Sequence, residues 1–173
     1  MVYETVFLRN TRNLPESDDI LKRSSFRVIS SLTKVEYVIL VDHCKEDLYV
    51  IKFYCKRDEK SRTRYNRLTN LHEPRNLVET CVDLILKKFL DLDPGASFGF
   101  IASNIPGESR NNTKRFRFYE RMMSTLVGEV RFSHYKLEDI SAYLLIPNAI
   151  DDHKGKLDVY YQMLQSYPIT EVE

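Results

Sequence analysis

Hydrophobic positions recur along this chain with two different periods, and the switches between them mark out its elements. "VYETVFL" (Val2–Leu8) is rich in β-branched and aromatic residues and predicts a strand. "NTRNLPESDD" breaks the pattern with Pro15 and a cluster of turn formers. It predicts a loop over Asn10–Asp19, followed by one helical turn at Ile20–Arg23. In "FRVISSL" (Phe26–Leu32), Phe26, Val28, Ser30 and Leu32 alternate onto one face of a second strand. The strongest β signal is the pair "VEYVILVD" and "LYVIKFYCK", joined by the polar turn His43–Asp47. Such near-continuous apolar strands predict a hairpin buried on both faces, with Tyr49, Ile51, Phe53 and Cys55 sharing one side.

Lys56–Arg75 has no periodicity and reads as a long polar connection. Pro74 suits the first position of a helix, and Leu77/Val78, Cys81/Val82, Ile85 and Phe89 follow at helical spacing over Leu77–Leu90, until Asp93–Gly95 stops it. "SFGFIAS" (Ser97–Ser103) is a short strand, and a loop with Pro106 and Gly107 leads to a second helix, Lys114–Val127, ended by Gly128. "VRFSHYKL" and "SAYLLIP" predict two more strands, and Asp158–Tyr167 a closing helix. With no repeat, linker or low-complexity segment, residues 1–173 form one domain. The expected class is α+β, with a central, mainly antiparallel sheet covered by two long helices.

Composition narrows the picture. Hydrophobic residues make up 43% and charged residues 29%, as in a folded globular chain. The 26 basic and 25 acidic residues nearly cancel, so affinity for nucleic acid must come from local clustering. Apolar runs of about five to seven residues fall far short of a bilayer span, so no membrane partner is expected. Met1–Leu8 reads as a strand where a secretory leader would have a charged and then apolar segment. Cys44, Cys55 and Cys81 are an odd, scattered set, read as reduced thiols in a cytoplasmic protein.

Two basic clusters stand out. Lys56–Arg75 holds seven cations, among them Arg62, Arg64, Arg67 and Arg75, against three acids. Arg110–Arg121 holds five, against Glu120 alone. Lys114, Arg117 and Arg121 form one stripe on the second helix, while Phe116, Tyr119, Met123 and Leu126 form the apolar stripe. Cations are poorly placed in a first turn, where the macrodipole is positive. A bound anion would repay that placement, and a helix start with open N–H groups suits phosphate. The opposing reading is a solvated face paired with acids elsewhere. Arg62, Arg64, Arg67, Arg75, Lys114, Arg117 and Arg121 are the candidate anion-binding residues.

Catalytic signatures are weak. His43 and Cys44 are adjacent in an extended segment and point to opposite faces, as do Ser133 and His134. No C-x-x-C or H-x-x-x-H spacing exists, so neither a metal nor a cofactor is expected. A metal-dependent nuclease hairpin would use an acid on one strand and acid-x-Lys on the next. Asp42 fits the first, but Val50 stands where the second acid should precede Lys52. Tyr65 and His72 are candidate acid/base or stacking side chains beside the first cluster, and Arg67 and His72 match the spacing of an Arg/His ribonuclease signature. Phe98 and Phe100 are read as core before a base-stacking platform. Tyr160 and Tyr161 are packing residues, a homodimer contact being their other role.

The order of strands, helix, strand, helix and strands over Val35–Ile146 resembles the GNAT acyltransferase fold. In "NTKRFRFYERMM" and just after it, Asn112, Tyr119, Glu120 and Gly128 stand where that fold carries an Asn, a Tyr-Glu pair and a Gly in its late helix. Where the family has a glycine-bearing pyrophosphate loop, this chain reads "SRTRYNRLTNLHEPRN", without glycine. The chain is also similar to small uncharacterised bacterial domains with a hairpin, a long helix, a Phe-x-Phe strand (Phe98–Phe100) and an Arg–Tyr helix (Arg115–Tyr119). Two functions are expected. The first is a binding domain engaging nucleic acid or an acidic protein through the two clusters. The second, implied by the GNAT resemblance, is a divergent acyltransferase holding a CoA-type donor beside Lys56–Arg75.

Overall fold

The computed structural model describes residues 1–67 and 73–169. Its strands are β1 (Thr5–Thr11), β2 (Ile20–Ile29), β3 (Glu36–Cys44), β4 (Leu48–Cys55), β5 (Ser97–Ile101), β6 (Phe132–Leu137) and β7 (Ala142–Pro147). They form one seven-stranded sheet in the order β1-β2-β3-β4-β5-β7-β6. All neighbours are antiparallel except β4 and β5. That parallel pair requires a crossover. Helix α1 (Pro74–Leu84) supplies it, running on through a wide π turn at Ile85–Phe89 and a last turn at Leu90–Leu92. Helices α2 (Lys114–Leu126) and α3 (His153–Gln165) complete the described elements.

The two faces of the sheet carry separate cores. On one, Tyr49, Ile51 and Cys55 of β4 pack with Leu77, Cys81 and Ile85 of α1 and its continuation and with Phe116, Tyr119 and Met123 of α2. On the other, Leu48 and Val50 meet Leu144 and Ile146 of β7 and Tyr160 and Leu164 of α3. Alternation along β4 thus feeds both cores, which is why the hairpin reads as continuously apolar. The sheet is covered by three helices among the described residues, not two, with α3 alone on the second face. Among the described residues no helix is long and apolar enough to cross a membrane.

Three local expectations are corrected. Ile20–Arg23 is not a helical turn but the start of β2, paired as Ile20 with Cys44, Lys22 with His43 and Arg23 with Asp42. Pairing with a strand some twenty residues on overrides the local polar sequence. The first strand begins later than expected, because Tyr3 turns inward and its N–H donates to Thr80 Oγ1 of α1 at 2.9 Å. Leu32, expected on the inner face of β2, lies beyond its end and is 62% exposed. Cys44, Cys55 and Cys81 are buried, unpaired thiols. Phe98 and Phe100 are core residues, as is Tyr160, which leaves Tyr161 as the outer member of that pair.

Candidate functional site: the cleft between strands β4 and β5

Strands β4 and β5 pair only over four residues, from Leu48 with Ser97 to Ile51 with Phe100. Beyond Ile51, β4 continues to Cys55 in register with β3 alone, while β5 stays with β7 through Ile101 and Ala142. From Lys52 onward the strands share no ladder, and a cleft of about 220 Å³ opens between them. Phe53, Phe100, Phe118 and Tyr119 line it, together with Arg64, Arg67, Lys114 and Arg115. Arg67 and Lys114 are exposed and mark its mouth. Burial pushes the Tyr119 phenol up to about 12, so it stays neutral near pH 7.

The mouth cations are held by the backbone and by rings. Arg64 lies over Tyr54 (4.8 Å) and Tyr65 (5.0 Å) and donates to Glu59 O at 3.0 Å and to Tyr65 Oη at 3.2 Å. Arg115 donates from Nη2 to Arg67 O at 2.7 Å and from Nη1 to Tyr65 O. It thereby ties the start of α2 to the loop after β4. Arg67 itself donates to Asp58 Oδ1 at 3.0 Å.

The start of α2 already has a carboxylate. Thr113 caps the helix by accepting from Phe116 N at 3.1 Å, and Glu108 accepts from Lys114 N at 2.7 Å and from Ile105 N at 3.1 Å. Glu108 thus supplies the negative charge that the macrodipole favours there.

Beneath the cleft, on the α3 face, lies a buried ionic cluster. Arg23 Nε and Nη2 donate to Asp42 Oδ1 and Oδ2 at 2.6 and 3.0 Å, Lys52 Nζ stands 3.3 Å from Asp42 Oδ2, and Tyr167 also donates to that oxygen. The register explains the meeting. Asp42 faces Val50 and Leu40 faces Lys52, so Asp42 and Lys52 are diagonal neighbours on one face. Burial works to raise the Asp42 carboxyl, but the Arg23 hydrogen bonds and the charges of Lys52 and Arg23 outweigh it and hold it below its usual range. Burial pushes the Lys52 ammonium down to about 8, Asp42 opposing and Arg23 adding to the fall. The rings of Tyr65 and Tyr167 flank Nζ at 5.2 and 4.9 Å.

No family model, curated protein or solved structure matches this chain. The site therefore rests on its own geometry.

Of the seven cations predicted to bind an anion, Arg64, Arg67 and Lys114 line the cleft. Arg62 is exposed elsewhere on the loop. Arg75 pairs with Glu79 at 2.9 Å on the outer surface of α1. Arg117 donates to Asn112 O at 2.5 Å and, like Arg121, lies on the exposed side of α2 away from the cleft lining. The stripe is therefore a single face of which only Lys114 reaches the site. His72 falls outside the described residues. Sequence reasoning missed Arg115 and Lys52 as site residues. The signal for Lys52 was present as a charge in an otherwise apolar strand. Away from the cleft, His43, Asp47 and Asp93 bring one ligand atom each within 4.8 Å of one another, a grouping that no spacing rule captures. His43 there is stacked on Tyr49 at 4.4 Å.

Proposed function

We propose that the β4/β5 cleft binds a CoA-type acyl thioester and that the protein is a divergent acyltransferase of the kind the GNAT resemblance implies. The carrying observation is the parting of β4 from β5 beyond Ile51, which leaves a strand edge without a partner inside a narrow, ring-lined slot. Such an edge offers peptide N–H and C=O groups to an extended amide-bearing arm, in the manner of an added strand. Arg67, Lys114 and Arg64 at the mouth would meet the phosphates at the other end of that ligand. In this reading side-chain cations replace the glycine loop, whose position in the chain is occupied by Arg62, Arg64 and Arg67. The element order supports the same reading, since helix, strand, helix and strands follow an antiparallel block.

An extended nucleic acid or acidic protein is served less well by this arrangement. It would draw on all seven cations, and only three of them line the cleft. Calorimetric titration with acetyl-CoA, CoA and pantetheine tests the proposal. Saturable binding of the first two, weakened by salt and by loss of the nucleotide phosphates in pantetheine, is the expected result. No heat at millimolar acetyl-CoA overturns it.

A further inference from the structure

A second cavity, of about 280 Å³, lies against the ionic cluster and is bounded by Glu16, Arg23, Lys52, Arg64 and Tyr65, together with Pro168 and Ile169 beyond α3. Lys52, Arg64 and Tyr65 line both this cavity and the cleft. Lys52 is the first residue of β4 beyond its last pairing with β5, so its side chain stands where the two spaces approach each other. The second space is polar and cationic. Arg23, Lys52 and Arg64 face it, and of the two nearby acids Asp42 is fully engaged below.

The other acid, Glu16, is informative. It comes from the loop between β1 and β2, its side chain is 40% exposed, and it rests on Arg23 Nη1 at 3.2 Å. Nε and Nη2 of the same guanidinium are held inward by Asp42. Arg23 therefore presents an outward N–H edge to the cavity, which donates to the carboxylate of Glu16, an exposed loop side chain.

Resting on the reading of the cleft as a thioester site, we propose that this second cavity receives the acyl acceptor, a small amine bearing a carboxylate that displaces Glu16 from Arg23, and that Lys52 accepts the proton from its attacking nitrogen. The neutral amine attacks the thioester carbonyl carbon, so that a C–N bond forms and the C–S bond breaks. The proton leaving nitrogen passes to Lys52 Nζ and from there to the departing thiolate, giving amide and free thiol with no other reactant. The groups facing Lys52 suit that role: Asp42 from β3, Arg23 from β2, Glu16 from its loop, Arg64 and Tyr65 from the loop after β4, and Tyr167 behind α3. Burial, with the charge of Arg23 adding to it and Asp42 opposing, pulls the ammonium down to about 8, toward the range in which a neutral amine can serve as a base. An ordinary thiol, near about 8.5, is close enough to take the proton back.

The test uses the full chain, with thiol release from acetyl-CoA as the readout. The acceptors are glutamate, γ-aminobutyrate and β-alanine, each set against its carboxamide analogue. The carboxylate-bearing amines should react at least about 10-fold faster than the amides. Lys52→Met should lower kcat by about 100-fold or more and remove the inflection near pH 8, while calorimetry shows acetyl-CoA still bound. Glu16→Gln, at an exposed position that tolerates change, should lower KM for the carboxylate amine and leave kcat in place, a response that a structural role for Glu16 would not give. If acetyl-CoA binds but the amides react equally well, or Glu16→Gln leaves KM unmoved, the acceptor assignment is overturned and the donor reading stands. If acetyl-CoA does not bind, both fall.

Discussion

Asp42 and Lys52 meet at 3.3 Å across neighbouring strands, in an interior where that one carboxylate also holds Arg23 and Tyr167. Both side chains are almost fully buried, at 0% and 5% exposure. Removing the carboxylate would leave Lys52 in low dielectric without its counter-charge and Arg23 with Glu16, which is 40% exposed, as its remaining partner. Asp42→Asn should therefore cost about 3–5 kcal/mol of stability. Lys52→Met should cost much less, because Asp42 keeps Arg23. Asp42→Asn made in the Lys52→Met background should in turn be milder than in wild type. Denaturant melts of the four proteins give the coupling directly, and additive effects would mean that the two groups do not interact.

The same pair predicts a pH dependence with a definite sign. Lys52 is held at about 8, below its ordinary value, mainly by burial. Between about 8 and about 10.4 the unfolded chain binds a proton that the folded chain does not. The Lys52 contribution to stability therefore rises with pH through that window. Cys44 and Cys81, pushed up to about 12 by burial, act oppositely. Their contribution is complete below the unfolded thiol value and is lost as pH rises toward 12. Each stability curve mixes these effects, but the difference between wild type and Lys52→Met isolates the lysine. That difference should climb in favour of wild type from pH 8 to 10. A flat difference would remove the physical basis for a neutral Lys52.

The start of α2 gives a third expectation. Thr113 is buried, accepts from Phe116 N at 3.1 Å, and has its own N–H bonded to Ser141 Oγ at 2.9 Å. Thr113→Ala should cost about 1–2 kcal/mol, with Thr113→Ser restoring most of it. Glu108→Gln loses the charge facing the dipole and also one of two acceptor oxygens, since Oε1 accepts from Lys114 N and Oε2 from Ile105 N, so its cost should be about 1–2 kcal/mol. Urea midpoints at low salt measure both. A larger loss for Glu108→Gln than for Thr113→Ala would show that Glu108 dominates the cap, and a loss that vanishes at high salt would assign it to the charge.

How much of this was legible beforehand depends on the range of the determining contact. The hairpin of β3 and β4, the α1 stripe through Leu77, Cys81 and Ile85, and the α2 stripe through Phe116, Tyr119 and Met123 are all local periodicities, and each lies where its pattern puts it. Ile20–Arg23 was misread because what makes it a strand is Asp42, nineteen positions away from Arg23. The cleft depends on where β4 and β5 stop pairing, which no window of sequence contains. The basic clusters were visible as composition. Which of their cations converge was decided by the loop after β4 folding back onto α2 through Arg115.

The cleft separates those cations by position, not by charge. Arg67 and Lys114 line the cleft, whereas Arg117 and Arg121 lie on the exposed side of the same helix. All four side chains are exposed, but Arg67 also donates to the buried Asp58 at 3.0 Å, so the inner reversal should cost some stability, and denaturant melts of both double variants confirm folding before binding is compared. Arg67→Glu with Lys114→Glu should weaken acetyl-CoA binding by about 100-fold or more, as expected for two lost charge-assisted contacts. Arg117→Glu with Arg121→Glu changes the net charge by the same amount and should alter affinity less than about 3-fold, a residual long-range effect that 0.15 M salt would screen. Calorimetry at two salt concentrations distinguishes the cases. If the outer pair matters as much as the inner pair, the anion is held along the whole stripe, and a ligand longer than a nucleotide-bearing thioester must lie across α2.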